Sequence, residues 1–144
     1  MILFCTGVCV LAADPDFSGT WKLNPKRSEI HAMPAYPGGV ITIQHHDRLV
    51  EYSAPLKTGY ADVVWQYTTG GKEIRTKAGT GTLSNHAKWE GNDLLLNSTV
   101  ALPDRNYTQM DHWHLSRDGK TLTIRREVVN LHGGMDSTLV YEKR

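Results

Sequence analysis

The chain has 144 residues, and 16 Lys and Arg against 15 Asp and Glu leave a net charge of +1. The charges are scattered rather than clustered, which argues against a nucleic-acid partner and disfavours a role on a membrane surface. Both cysteines, Cys5 and Cys9, lie within the first 13 residues. The rest of the chain therefore cannot be a disulfide-stapled scaffold and must be held by hydrophobic burial.

Residues 1–13 are apolar or small and end in Ala12-Ala13, which has the small side chains of a cleavage site. This pattern predicts a secretory signal peptide over 1–13 and a secreted or periplasmic protein. No Lys or Arg precedes the apolar run, so a short N-terminal strand is the alternative. The run is too short to span a bilayer, and we expect no stable membrane anchor.

Residues 14–144 are expected to form a single domain with one core. It opens on Gly19-Thr20-Trp21, and a Trp two residues after a Gly can plug the closed end of a small antiparallel barrel. Residues 24–39 are rich in proline and are predicted to form a long loop or a short helical turn. Such a segment is well placed to cover a barrel mouth.

Four two-residue turns punctuate stretches of alternating polar and apolar residues, which is the pattern of β-hairpins. In chain order the turns are Asp47-Arg48, Gly70-Gly71, Gly91-Asn92 and Asp118-Gly119. The strands registered about them put large apolar residues on one face: Ile43 faces Tyr52, His45 faces Val50, Tyr67 faces Ile74, Trp65 faces Thr76, Trp89 faces Leu94, Ala87 faces Leu96, Leu83 faces Val100, Leu115 faces Leu122 and Trp113 faces Ile124. The opposite face is polar, as in a sheet with one solvated side.

No stretch shows a convincing helical period, and Gly or Pro recurs at intervals typical of short strands. The strands follow one another through short turns, without the long returns of a sandwich. We therefore predict an all-β fold, an antiparallel up-and-down β-barrel of about 8–10 strands.

Four stretches carry a family resemblance: FSGTWKLN at 17–24, KWEG at 88–91, WHLSRDGKTLT at 113–123 and VYEK at 140–143. They resemble small secreted bacterial lipocalin-like proteins, and the likeness extends over most of the chain. The resemblance implies a calycin-type barrel, similar to lipocalins and fatty-acid-binding proteins, with an internal ligand. In lipocalins the Trp of Gly-x-Trp stacks on an arginine near the barrel's end, and the candidates here are Arg125, Arg126 and Arg144.

The register about Asp118-Gly119 places Asp111 opposite Arg126, with both side chains pointing into the barrel. Isolated charges there would be costly, whereas facing partners offset much of that cost. The pair is therefore either structural or the polar floor of a ligand site, in which Arg126 could hold a carboxylate through its two-pronged guanidinium.

The inward positions combine large aromatic rings with a few polar groups, a composition suited to a small-molecule cavity. The predicted ligand-binding residues are Arg126, Asp111, His45, Tyr52, Trp65, Tyr67, Trp89, Tyr107 and Trp113, with Asn85 and Ser98 beside them. The expected partner is a small hydrophobic or amphipathic molecule. Alternatively, the same side chains fill the interior and the protein is a structural or interaction module that works through its outer face.

The sequence has few patterns typical of metal or catalytic sites, so we assign no catalytic residue, metal or cofactor. His112 and His114 share one strand face, but the register turns it toward solvent, where only a weak zinc site is conceivable. A haem binder would need His45 near the open end. There is no nucleophile elbow, phosphate loop or His-Glu-x-x-His. An enzyme would require Asp111, His45 and Tyr52 to converge, and the sequence indicates no oligomeric state.

Overall fold

Alternating apolar and polar residues form ten strands in the computed structural model, which describes residues 14–31, 39–54, 63–78, 80–103 and 105–144. They are β1 (Gly19–Leu23), β2 (Val40–His46), β3 (Leu49–Ala54), β4 (Val63–Thr68), β5 (Ile74–Ala78), β6 (Gly81–Glu90), β7 (Asp93–Leu102), β8 (Arg105–Leu115), β9 (Thr121–Asn130) and β10 (Gly133–Lys143). No helix in these ranges is long and apolar enough to cross a membrane. The predicted signal peptide lies outside the described residues.

The strands form one antiparallel sheet in the order β4-β3-β2-β1-β10-β9-β8-β7-β6-β5. Each strand pairs with its neighbour in the chain except at β4 and β5, and β1 also joins β10, so the first and last described strands lie side by side. The predicted all-β up-and-down barrel is confirmed, with ten strands in the described part of the chain.

Three of the four predicted hairpin registers are confirmed. The structure pairs Ile43 with Tyr52, His45 with Val50, Trp89 with Leu94, Ala87 with Leu96, Leu83 with Val100, Leu115 with Leu122 and Trp113 with Ile124. These turns lie at one end of the barrel, which we call the closed end. The β9–β10 turn at Leu131-His132 lies at the opposite, open end.

The predicted hairpin at Gly70-Gly71, with Tyr67 opposite Ile74 and Trp65 opposite Thr76, is wrong. β4 pairs with β3 and β5 pairs with β6. The reason is a difference in strand length, because β5 covers only residues 81–85 of the longer β6. The rest of that edge receives the end of β4, where Gly70 bridges Lys88 and the Gly71 N–H donates to the Ala87 carbonyl at 2.9 Å. We call the unpaired boundary between β4 and β5 the seam.

Trp21 fills the closed end, as its position after Gly19 predicts. Its side chain is fully buried, and its Nε1 donates to the Phe17 carbonyl at 3.1 Å. The Phe17 ring is also fully buried and packs edge-on against Trp113, with 5.6 Å between ring centroids. The plug is therefore a cluster of aromatic rings, to which Phe17 contributes as much as Trp21.

The cation over Trp21 is Lys143, which corrects the expectation of Arg125, Arg126 or Arg144. The β1–β10 register sets Trp21 opposite Lys143, whose Nζ lies 5.5 Å from the centre of the ring. Gly19 makes room for this arrangement. Its φ of +146° is unfavourable for other residues, and a Cβ there would lie 2.9 Å from the Lys143 Cε.

Replacing Gly19 with alanine is expected to lower the free energy of unfolding by about 1–2 kcal/mol, because alanine is strained at this φ. Gly39→Ala is the matched control, since a Cβ there meets nothing within 4 Å. It should change stability by less than about 0.5 kcal/mol. Urea unfolding followed by tryptophan fluorescence measures both. Equal losses in the two variants would show that the Gly19 backbone is not constrained.

Candidate functional site

A band of buried polar side chains crosses the interior on strands β6 to β10. We call it the polar belt, and its members are Asn85, Ser98, Gln109, Asp111, Arg126 and Ser137. Apolar residues flank it on both sides, with Leu94 and Trp113 toward the closed end and Val100 and Val128 toward the open end. Polar groups in such a position require partners, since an unpaired buried polar group is costly.

The centre of the belt is an ion pair between Asp111 and Arg126. Arg126 donates from Nε to Asp111 Oδ1 and from Nη2 to Oδ2, each at 2.8 Å. The side chains of Arg126 and Asp111 are only 6% and 3% exposed. The Trp113 Nε1 also donates to Asp111 Oδ2, at 3.2 Å. The predicted facing of Asp111 and Arg126 is thus confirmed, and both carboxylate oxygens are occupied.

Charge is retained in this buried pair. Burial alone would lower the pKa of Arg126, but the Asp111 carboxylate outweighs burial and raises the pKa of that guanidinium well above its usual value. Arg126 therefore stays charged, and its charge lies directly against the carboxylate of Asp111.

Two buried tyrosines adjoin the pair. The Tyr67 hydroxyl lies 2.6 Å from the Ser98 Oγ, and the Tyr52 ring packs edge-on against Trp113 at 6.0 Å between centroids. Burial raises the pKa of both Tyr52 and Tyr67, so both phenols are neutral and can donate hydrogen bonds. The structure thus places three of the predicted site residues, Tyr52, Tyr67 and Trp113, around the pair that two others form.

His45 and Trp89 lie away from the belt, in the closed-end plug. The His45 ring stacks on Phe17 at 6.0 Å and lies 5.9 Å from Trp89, centre to centre. The His45 side chain is 7% exposed and points inward, as the register predicts. Its place in the plug removes the setting near the open end that a haem ligand would need.

Trp65 and Tyr107 face the open half of the barrel. Trp65 is partly buried beside Tyr52, and Tyr107 is half-buried opposite Val100. Together with Val128 they form an apolar and aromatic wall above the polar belt. Among the described residues, the side chains of the closed-end plug are mostly buried, whereas Trp65 and Tyr107 in the open half are only partly buried.

His112 and His114 lie on the outer wall, as predicted, and share a partner that sequence analysis missed. His112 Nε2 and His114 Nδ1 lie 2.6 and 2.7 Å from the two carboxylate oxygens of Asp93. Burial raises the pKa of Asp93, but its bonds to the two rings outweigh burial and give a net lowering. Within the described ranges, no three His, Cys, Asp or Glu side chains are arranged to hold a metal.

Two grooves open on the outer wall. One, of about 520 Å³, runs across β6 to β10 over outward side chains that include Leu95, Met110 and Arg125. The other, of about 420 Å³, lies nearer the open end and is lined by residues that include Thr108 and Val129. If the protein were an interaction module that works through its outer face, these grooves are the surfaces that would contact its partner.

No protein-family model matches the sequence, and no curated protein matches it either. Solved structures do match. A secretory abundant heat soluble (SAHS) protein from Ramazzottius varieornatus aligns with a TM-score of 0.62 at 15% identity, over 89% of this chain and 95% of that one. The REP1-NXSQ fatty acid transporter aligns with a TM-score of 0.60 at 14% identity, over 89% and 96%.

Zebrafish ileal bile acid-binding protein, solved in complex with cholic acid, aligns with a TM-score of 0.57 at 16% identity, over 89% of this chain and 98% of that one. All three comparisons extend over nearly the full length of the neighbour. They confirm the calycin-like barrel fold that the sequence resemblance implies.

The energetic coupling of the charge pair is testable by a double-mutant cycle. Asp111→Leu and Arg126→Met should each lower the free energy of unfolding by about 3–5 kcal/mol, because each strands a buried charge. The double variant should lose less than either single variant, since no charge remains. Urea unfolding of the four proteins measures this. Additive losses would show that the two side chains do not stabilise each other.

Proposed function

We propose that this barrel binds a small hydrophobic or amphipathic molecule in its open half, with the polar part of the ligand directed toward the belt. The observation that carries the proposal is the polar belt itself. Buried ion pairs contribute little net stability compared with apolar packing, so stability alone does not account for Asp111 and Arg126. A few fixed polar groups beneath an apolar wall are the usual composition of a ligand site.

The structural neighbours support this choice of ligand class. One is described as a fatty acid transporter and another as a bile acid-binding protein in complex with cholic acid. Both ligands are small amphipathic molecules. Because fold does not fix function, the proposal depends on the belt and the wall above it, and the neighbours strengthen it.

Adjacent valines on opposite faces of β9 provide a matched test. Val128 is 4% exposed and points inward, whereas Val129 is 37% exposed and faces the outer wall. With N-phenyl-1-naphthylamine as a neutral fluorescent probe, Val128→Phe should weaken binding about tenfold by filling the open half. Val129→Phe should leave the affinity within about twofold.

The opposite result has a defined meaning. If Val129→Phe alone weakens binding, the site is the outer groove that Val129 lines, and the interior proposal fails. If the wild-type protein binds neither this probe nor any lipid on titration, ligand binding is overturned. Val128→Leu is the smaller substitution for the case in which Val128→Phe does not fold, and it should weaken binding in the same direction.

We further propose that the mature protein is secreted or periplasmic and belongs with the small secreted bacterial lipocalin-like proteins that it resembles. The apolar run over residues 1–13 and its alanine pair support export. In a bacterial host, the intact mass of protein from the periplasm or medium should lack residues 1–13. Exported, folded protein that retains them would contradict cleavage.

A further inference from the structure

Building on the proposed ligand site, we propose that its occupant is a neutral hydroxylated lipid, such as a fatty alcohol, and that the lipid hydroxyl is held by Asn85 and Thr76 beside the seam. This assignment specifies the chemistry of the head group. A ligand with a free carboxylate would instead require a buried cation that no other side chain neutralises. Whether the head group is a hydroxyl or a carboxylate therefore depends on whether the polar belt offers such a cation.

Arg126 is already engaged by Asp111 and is not a free cation for a ligand carboxylate. Two of its nitrogens are already bound in parallel by Asp111, and that carboxylate is further fixed by the Trp113 indole. Arg126 is the only buried lysine or arginine in the described ranges. A ligand carboxylate would therefore enter a nearly neutral interior beside the negative charge of Asp111, without a cation to replace its lost hydration.

Two buried oxygens on β5 and β6, Asn85 Oδ1 and Thr76 Oγ1, have no hydrogen-bond partner among the residues that the structure describes. The orientation of the Asn85 amide is fixed, because its Nδ2 donates to the Gln66 carbonyl of β4 at 3.2 Å. A carbonyl oxygen can only accept, so the nitrogen of Asn85 must face it. The free oxygen therefore offers an acceptor and selects a ligand that brings a donor.

In the proposed site, Thr76 and Asn85 approach the head group from neighbouring strands. Thr76 pairs with Leu83, two residues from Asn85 on β6, so Thr76 and Asn85 are diagonal neighbours on the inner face. A lipid hydroxyl can donate to Asn85 Oδ1 and accept from the Thr76 hydroxyl at once. This reciprocal pairing suits an alcohol and does not suit an ionised acid, which has no proton to donate.

Access is provided by the short edge strand. Asn85 is covered on the β5 side by Ile74, its register partner, which is only half-buried. β5 pairs with β6 on one side, and its other edge is the seam. Side chains on a strand held along one edge shift more readily than those of a central strand, because fewer interactions oppose the movement. A head group can therefore reach Asn85 from the open half.

The decisive comparison uses dodecanol and laurate at neutral pH, which share a chain length and differ in head group. Each displaces N-phenyl-1-naphthylamine from wild-type protein, Thr76→Val, Asn85→Leu and the outer-wall control Asn97→Leu. Dodecanol should bind wild type about tenfold more tightly than laurate. Thr76→Val and Asn85→Leu should each remove most of that preference while laurate affinity stays the same, and Asn97→Leu should retain it.

Each other outcome overturns a specific statement. Laurate binding as tightly as dodecanol would refute the neutral head group and leave the proposed ligand site standing. A dodecanol preference that survives both substitutions would show that Asn85 and Thr76 do not hold the hydroxyl, as when they hold only a water. Absence of binding by either lipid and by the probe would remove the proposed function itself. Thr76→Val is nearly isosteric and keeps the test valid if Asn85→Leu does not fold.

Discussion

The buried ion pair between Asp111 and Arg126 constrains the structure around it. A charge in this interior is tolerated only with its partner, so a shift of β8 against β9 by one residue would turn one of the two side chains to the outer face and leave the other inside without its partner. The observed register meets that demand with two hydrogen bonds of 2.8 Å. The same register also determines which residues of β8 and β9 face each other on either side of the pair, and so places the polar belt between two apolar layers.

Local sequence signals predicted most of the fold because most of its pairings are local. A two-residue turn sets the register of its two strands, and alternation then assigns every side chain to a face. The pairing of Asp111 with Arg126 could therefore be predicted from the sequence alone. The unpaired boundary between β4 and β5 could not be predicted in this way. Gly70-Gly71 has the composition of a hairpin turn, but the partner of β4 there is β6, chosen by strand lengths that no single turn encodes.

The candidate site, like the fold, could be predicted only in part. The inward aromatic residues followed from alternation, whereas the partners of His112, His114 and Trp21 depend on which strands lie side by side. Lys143 reaches Trp21 only because β1 pairs with β10, and the lack of a partner for Asn85 Oδ1 among the described residues depends on where the neighbouring strands lie. Alternation in the sequence can predict that a polar group faces inward. Whether that group finds a hydrogen-bond partner depends on the arrangement of the whole barrel.

The short joint between β1 and β10 also determines when the barrel can exist during synthesis. Trp21, Lys22 and Leu23 of β1 pair with residues 141–143 of β10, the last of the ten described strands. The consecutive strands β5 to β10 need only nearby partners, but the ring stays open until residues 141–143 of β10 emerge. A chain that lost those few residues would keep nearly all of its strands and yet be a curled sheet with two seams instead of one.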